Sequence, residues 1–151
     1  MELNDEVTID AARDKVYAAL NDPLILKECI PGCEELIQHS ETELEAKVVL
    51  KVGPVKARFS GTVHLDNSGA PEAFSLTGEG SGGTAGFAKG GADVTLTEDG
   101  ETTTLRYAAK VDIGGKLAQL GSRLMQSTAK KLSAKFFTKF AETFDAETAA
   151  S

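Results

Sequence analysis

The chain has few of the residue types from which most enzyme active sites are built. Its 151 residues include two histidines and two cysteines. Cys29 and Cys33 alone cannot supply the ligands of a structural zinc site, and their spacing differs from that of a redox CxxC motif. Of the histidines, His39 and His64, the second falls on the outward face of a predicted strand. We therefore predict no metal site and no catalytic residue.

Long apolar runs and an excess of basic residues are also missing. The net charge of −7 argues against nucleic acid as a partner, because the phosphate backbone attracts clustered lysine and arginine. No apolar run approaches the roughly 20 residues of a membrane span. The first ten residues alternate and are acidic, whereas a signal peptide begins with a basic segment followed by an apolar one. We therefore expect a cytoplasmic protein.

The composition is that of an ordinary globular protein. Apolar residues make up 41% of the chain and charged residues 26%. A chain of this length can bury roughly 70% of the surface that it exposes when unfolded. We predict one domain over residues 1–144 and a flexible C-terminal tail over residues 145–151.

Periodicity places a strand and two short helices first. Residues 1–9 alternate between apolar and polar side chains, which predicts a half-buried strand. Asp10 is a candidate N-cap for a short helix that Asn21-Asp22-Pro23 ends. A second helical piece is predicted over Leu24–Cys29, before Pro31-Gly32.

Five consecutive strands are predicted next. Alternating patterns cover residues 44–52 and 57–65, and further runs begin at Phe74, Ala88 and Leu105. Short turns join them, so they should form an antiparallel meander.

The C-terminal part changes to helical spacing. Apolar residues recur every three or four positions from Lys116 to Phe144, which predicts one helix about 43 Å long. This order of elements is that of an α+β helix-grip fold, in which a curved antiparallel sheet wraps around the terminal helix. Because a bent sheet and a straight helix fit imperfectly, a cavity should remain between them. The inward apolar side chains predicted to line it are Leu50, Phe59, Phe74, Leu76, Leu105, Tyr107, Leu117, Leu120 and Leu124.

A glycine-rich segment lies between two of the predicted strands. Residues 78–91 read GEGSGGTAGFAKGG and contain a formal GxGxxG. A dinucleotide site would need that motif to follow a parallel strand and to open a helix, but here another strand follows. The glycines are better explained as bends, or as places where the backbone packs closely against a neighbour or a ligand. Glu79 and Asp93 are candidate contacts for the head group of a ligand.

Basic residues concentrate on the terminal helix, with no acid between Lys116 and Phe140. Phe137 lies off the apolar stripe, so we expect an exposed aromatic among lysines. Such a face suits an anionic membrane surface or an acidic protein, and a simple solvated helix face remains the alternative. The residues predicted to form this partner surface are Arg123, Lys130, Lys131, Lys135, Phe137 and Lys139.

Four segments carry a family resemblance. They are ALNDPLILKECIPGCEEL (19–36), KVGPVKARFSG (51–61), GEGSGGTAGFAKGGADVTL (78–96) and GGKLAQLGSRLMQSTAKKL (114–132). Together they resemble the carbon monoxide dehydrogenase CoxG family of the START-like helix-grip superfamily, over nearly the whole chain. One departure is Tyr17, where the family often has tryptophan. Another is that the chain stops at Ser151, whereas some relatives continue into an anchoring tail, so we expect any membrane association to be peripheral.

The resemblance implies an accessory role. Family members accompany molybdenum hydroxylases of the carbon monoxide dehydrogenase type and are linked to membrane docking and to carrying a lipophilic quinone. It implies no cofactor, a quinone or lipid as cargo, and Phe87 as a ligand or partner contact. By motif it also implies a cavity rim or gate at Pro31, Gly32, Pro54, Lys89 and Lys116. Two alternatives stay open: a docking or assembly factor without cargo, and a cyclase-type or hydrolase-type enzyme, which would need a titratable pair inside the cavity.

Overall fold

The computed structural model describes the backbone of residues 1–150 and the side chains of residues 1–145. The predicted tail, 145–151, lies mostly outside the described side chains and stays a prediction. The elements, in chain order, are β1 (Glu2–Ile9), α1 (Arg13–Leu20), α2 (Pro23–Cys29), β2 (Cys33–Ser40), β3 (Glu43–Val52), β4 (Val55–Asp66), β5 (Ala73–Ser81), β6 (Phe87–Asp99), β7 (Thr102–Gly114), α3 (Lys116–Gln119) and α4 (Ser122–Ala150).

The strands form a curved antiparallel sheet in the order β1-β7-β6-β5-β4-β3-β2, which confirms the predicted fold class. The five predicted strands of the meander are present, and β2 is an additional strand that the sequence pattern did not indicate. Its residues are mostly exposed, because β2 is one of the two edge strands and pairs with β3 alone, with register shifts on either side of its central residues. An edge strand of this kind shows little apolar alternation.

The first two helices follow the prediction except at one cap. Asp22 caps α2 by accepting a hydrogen bond from the Leu24 N–H at 3.0 Å, and Pro23 occupies the first turn. The predicted Asp10 cap of α1 is wrong, because the N-cap is Ala12. The chain is still turning at Ala11, whose N–H donates to the Ile9 carbonyl at 2.9 Å.

The terminal helix is interrupted near its start, so the predicted single helix from Lys116 is wrong there. The short helix α3 ends at Gln119, and α4 begins at Ser122. Gly121 between them has a φ of 95°, a left-handed value that glycine adopts more readily than other residues. The change of direction brings Leu117 under the sheet while α4 crosses it.

The core lies at one end of the sheet, under the C-terminal half of α4. Phe140 is fully buried there and packs with Ile9, Val16 and Leu105. Its ring lies 5.9 Å from that of Phe136, centroid to centroid, and 5.2 Å from that of Phe144. The buried Thr103 hydroxyl donates to the Ala11 carbonyl at 2.8 Å, which satisfies both polar groups. Large aromatic side chains therefore fill the space between helix and sheet at this end.

Candidate ligand-binding cavity

A cavity of about 520 Å³ occupies the other end, between the concave face of the sheet and the N-terminal half of α4. Small-molecule sites in proteins commonly measure about 300–1,000 Å³. The helix contributes shorter side chains here than it does in the core, namely Met125, Thr128, Ala129 and Leu132. The cavity exists where the aromatic half of α4 gives way to this smaller half.

Glycines form the floor of the cavity. Gly61 of β4 pairs with Gly80 of β5, and Gly78 of β5 pairs with Gly90 of β6. All four line the cavity, and none has a side chain to fill it. A Cβ on Gly90 would lie 2.1 Å from the Lys110 carbonyl oxygen, so close backbone packing requires glycine there. At Gly80 the nearest atom to such a Cβ would be 3.4 Å away, so this position has room for a side chain.

The walls are almost entirely aliphatic. Strand β3 provides alternate side chains, as its sequence predicted, and β7 provides Val111 and Ile113. Ile30 and Pro31 close one side, from the connection between α2 and β2. The polar side chain that α4 adds is Thr128, so a ligand inside can make few hydrogen bonds to side chains. The β3 residues of the lining are Ala46, Val48, Leu50 and Val52.

Glu79 and Lys89 reach the lining through their backbone. Both side chains are exposed, and both alternate with inward residues on their strands. Because neighbouring side chains point to opposite faces of a sheet, these two point outward. Asp93 is likewise exposed on the outer face. Neither carboxylate therefore points into the cavity, and the role of Glu79 or Asp93 as a contact for the head group of a ligand stays a prediction.

Some predicted lining residues line the cavity and others do not. The structure places Leu50, Phe59, Leu76 and Leu117 in the lining.

Three predicted lining residues belong to the core instead. Leu105 is 1% exposed in the core, and Phe74 packs against it with its ring 6.0 Å from that of Tyr17. Tyr107 stacks on Phe137 at 5.6 Å. These residues lie on the concave face of the sheet, as predicted, but at the end where the aromatic half of α4 packs against that face.

Leu120, Leu124 and Phe87 also lie outside the lining. Leu120 is the C-cap of α3, and the Leu124 side chain reaches the β3–β4 turn at Gly53. Phe87 is 50% exposed, with its ring over Gly114 on the outer face, where a Cβ on Gly114 would lie 2.2 Å from it. Leu120 and Leu124 lie outside the lining because the helix is interrupted between α3 and α4. Phe87 lies outside it because its position on β6 faces outward.

Of the predicted rim residues, some line the cavity and others lie outside it. Pro31 lines the cavity, and Lys89 contributes backbone. Gly32 has a φ of 74° and lies in a groove on the other side of the α2–β2 connection. Pro54, in the β3–β4 turn, and Lys116, at the start of α3, are outside the lining, because the chain turns away from the sheet at both places.

The basic side chains of α4 are exposed as predicted, but Phe137 is not an exposed aromatic. Its ring packs on Tyr107 and Phe136 against the core. Among residues 1–145, no carboxylate lies within 4.0 Å of the ammonium or guanidinium groups of the five basic residues of that surface. Those residues are Arg123, Lys130, Lys131, Lys135 and Lys139.

Two cysteines near Pro31, Cys29 and Cys33, are titratable groups close to the cavity wall whose pKa values are shifted. Burial raises the pKa of the Cys29 thiol and that of the Cys33 thiol above the ordinary value. A thiol with a raised pKa is a weaker nucleophile at neutral pH. Within the described residues there is no group of three or more His, Cys, Asp or Glu that could hold a metal ion.

A curved antiparallel sheet around a long C-terminal helix, with an apolar cavity between them, defines a START-like helix-grip protein. The sequence matches the family of the carbon monoxide dehydrogenase G subunit, CoxG, over residues 6–144, so the chain belongs to that family. No curated protein matches it. No helix within the described residues combines the length and apolarity that a membrane crossing requires.

Solved structures show the same fold. A conserved protein from Geobacillus kaustophilus is 28% identical, with a TM-score of 0.90 over 97% of this chain and 96% of that one. A START superfamily protein from Mycobacterium smegmatis is 14% identical, with a TM-score of 0.65 over 95% and 98% of the two chains. The Zhui aromatase/cyclase from Streptomyces sp. R1128 is 13% identical, with a TM-score of 0.70 over 95% and 92%. The last two likenesses concern the fold alone.

Proposed function

We propose that this protein is a non-catalytic accessory protein that binds a hydrophobic ligand, quinone-like or lipid-like, in the 520 Å³ cavity. The observation that carries the proposal is the apolar lining over a glycine floor. An empty apolar cavity weakens a protein, because its walls lose dispersion contacts. This loss of stability is best explained if a ligand fills the cavity. Burial of the ligand contributes about 25 cal/mol of binding free energy per Å² of apolar surface.

The family membership supports a partner enzyme. In this proposal the protein serves a molybdenum hydroxylase of the carbon monoxide dehydrogenase type, by delivering an electron acceptor, by docking the enzyme at the inner face of the membrane, or by assisting its maturation. The proposal needs no catalytic residue, since Glu79 and Lys89, the acid and the base that border the cavity, have exposed side chains on the outer face of the sheet. The basic face of α4 would contact an anionic membrane or an acidic surface of the enzyme.

Extraction of bound cargo tests the proposal. Native mass spectrometry of protein purified gently from its own host should show a lipophilic adduct, and a short-chain quinone should bind the emptied protein. Gly80→Leu, which fills the floor, should abolish both. Thr77→Leu is the matched control, because Thr77 is an exposed residue of the same strand and its replacement leaves the cavity open. Protein that carries no cargo and binds neither quinones nor lipids would contradict the proposal.

The unpaired basic face favours one second candidate, a docking factor that acts without cargo. In that case Arg123→Glu combined with Lys130→Glu should abolish co-purification of a molybdenum hydroxylase, and Gly80→Leu should have no effect on it. If the cavity-filling variant also loses the enzyme, docking depends on the ligand and the carrier proposal is preferred.

A further inference from the structure

A groove of about 730 Å³ runs beside the cavity, between the α2–β2 connection and the C-terminal half of α4. Ile30 and Pro31 line both spaces. These two residues are therefore the common wall between an apolar cavity and a surface groove. A ligand that passes this wall would have its two ends in the two spaces.

The groove differs from the cavity in its charges. Its lining includes two acidic residues, Glu28 and Glu142, and four lysines, namely Lys27, Lys131, Lys135 and Lys139. No salt bridge of up to 4.0 Å joins any of these six side chains to another described residue. The groove therefore carries an excess of unpaired positive charge.

The lysine spacing destabilises α4. Lys131, Lys135 and Lys139 lie four residues apart, so neighbouring ammonium groups face each other on one side of the helix. Like charges at this spacing repel each other and destabilise a helix. Lys131 directly precedes Leu132, which lines the cavity, and Lys135 lies one turn further along. The positive charge therefore begins at the cavity wall.

We infer that the groove binds the anionic head group of a single-chain amphipathic lipid whose hydrocarbon chain fills the cavity. This inference rests on the proposed function and narrows its ligand class. A carboxylate or phosphate cannot lie inside the cavity, because an almost entirely apolar lining cannot replace the water that a charged group loses. Beyond Ile30 and Pro31, the head group stays hydrated and meets Lys131, Lys135 and Lys27, and ion pairing there relieves the repulsion along α4.

Matched pairs of amphiphiles test the inference. Oleate and oleyl alcohol have the same chain, as do lysophosphatidate and monoolein, and all are measured below their micellar concentrations. We expect the wild-type protein to bind each anionic member about tenfold more tightly than its neutral partner at low salt, with less preference at high salt. Lys131→Gln combined with Lys135→Gln should remove the preference and leave neutral binding unchanged. Arg123→Gln combined with Lys130→Gln is the control of equal charge, and should keep the preference.

Cys33 provides a second readout. It is partly exposed in the groove, so oleate should slow its modification by a maleimide more than oleyl alcohol does at equal cavity occupancy.

The outcomes separate the two proposals. Equal affinity for charged and neutral partners, or equal protection of Cys33 by both, overturns the head-group site and leaves the carrier function standing. Failure of the wild-type protein to bind any of the four amphiphiles or a quinone overturns the carrier function itself. If the Lys131/Lys135 variant keeps its preference for oleate but loses binding to phosphatidylglycerol vesicles, the groove serves a membrane surface and the inference is wrong.

Discussion

Individual residues of α4 decide where the molecule is solid and where it is hollow. Phe136, Phe140 and Phe144 fill the core end, whereas Thr128 and Ala129 face the cavity. Both sets lie on the same helix and satisfy the same apolar periodicity. The difference is one of side-chain volume, and it determines the position of the site.

Truncation should therefore have unequal effects along one helix. Phe140→Ala leaves a void among closely packed neighbours, and should lower the free energy of unfolding by about 3–5 kcal/mol. Leu132→Ala only enlarges an existing cavity, so we expect about 2 kcal/mol or less. Urea denaturation of both variants measures the difference. Equal losses would contradict a hollow interior beside Leu132.

Among the elements, the break between α3 and α4 has the clearest consequence. It lets Leu117 lie under the sheet, 5% exposed, while α4 takes its own direction. Apolar spacing alone continues through residues 116–124 and gives no sign of the break. Gly121 is a weak signal by itself, because an isolated glycine is tolerated within a helix.

Whether Gly121→Ala raises or lowers the free energy of unfolding tests the break between α3 and α4. Gly121 has a φ of 95°, and no atom lies within 4 Å of the place that a Cβ would take, so Gly121→Ala introduces backbone strain without a clash. We expect the free energy of unfolding to fall by about 1–2 kcal/mol. In a continuous helix the same change would raise it by about 1 kcal/mol. Thermal or urea denaturation distinguishes the two, and stabilisation would disprove the break.

At the scale of the whole molecule, cavity and core are two ends of one interior. The aromatic end holds sheet and helix together, and this lets the other end remain open. A ligand that binds only the folded state should stabilise the protein by about 2.7 kcal/mol at a concentration of 100 times its Kd.

That linkage predicts a rise in Tm of roughly 5–10 °C with a saturating hydrophobic ligand. Differential scanning fluorimetry with a soluble quinone or a fatty alcohol measures it. The shift should persist in Thr77→Leu and disappear in Gly80→Leu. A shift of equal size in both variants would place the ligand outside the cavity.

The sequence predicted the fold well because its evidence is local. Alternation over residues 44–52 and 57–65 and helical spacing toward Phe144 each follow from a repeating pattern along the chain. The edge strand β2 escaped notice, since few of its side chains are buried on either face.

The site could be predicted only in part. Leu50, Phe59, Leu76 and Leu117 were found because large apolar residues on inward positions are visible in the sequence. The glycine floor was recognised as a place of bends or close approach, but its position under α4 depends on the register of β4, β5 and β6.

By itself, the sequence determined the order of most elements, the inward face of most strands, the basic face of the helix and the family. Only the tertiary structure decided which end of the interior is empty, that Phe137 is packed, and that Lys131, Lys135 and Lys139 lie along the α2–β2 connection beside the cavity wall. Periodicity determines on which face of a strand or helix a residue lies, but not which residue of another element packs against it. That neighbour depends on strand register and on the path of the helix, which arise only when distant segments pack together.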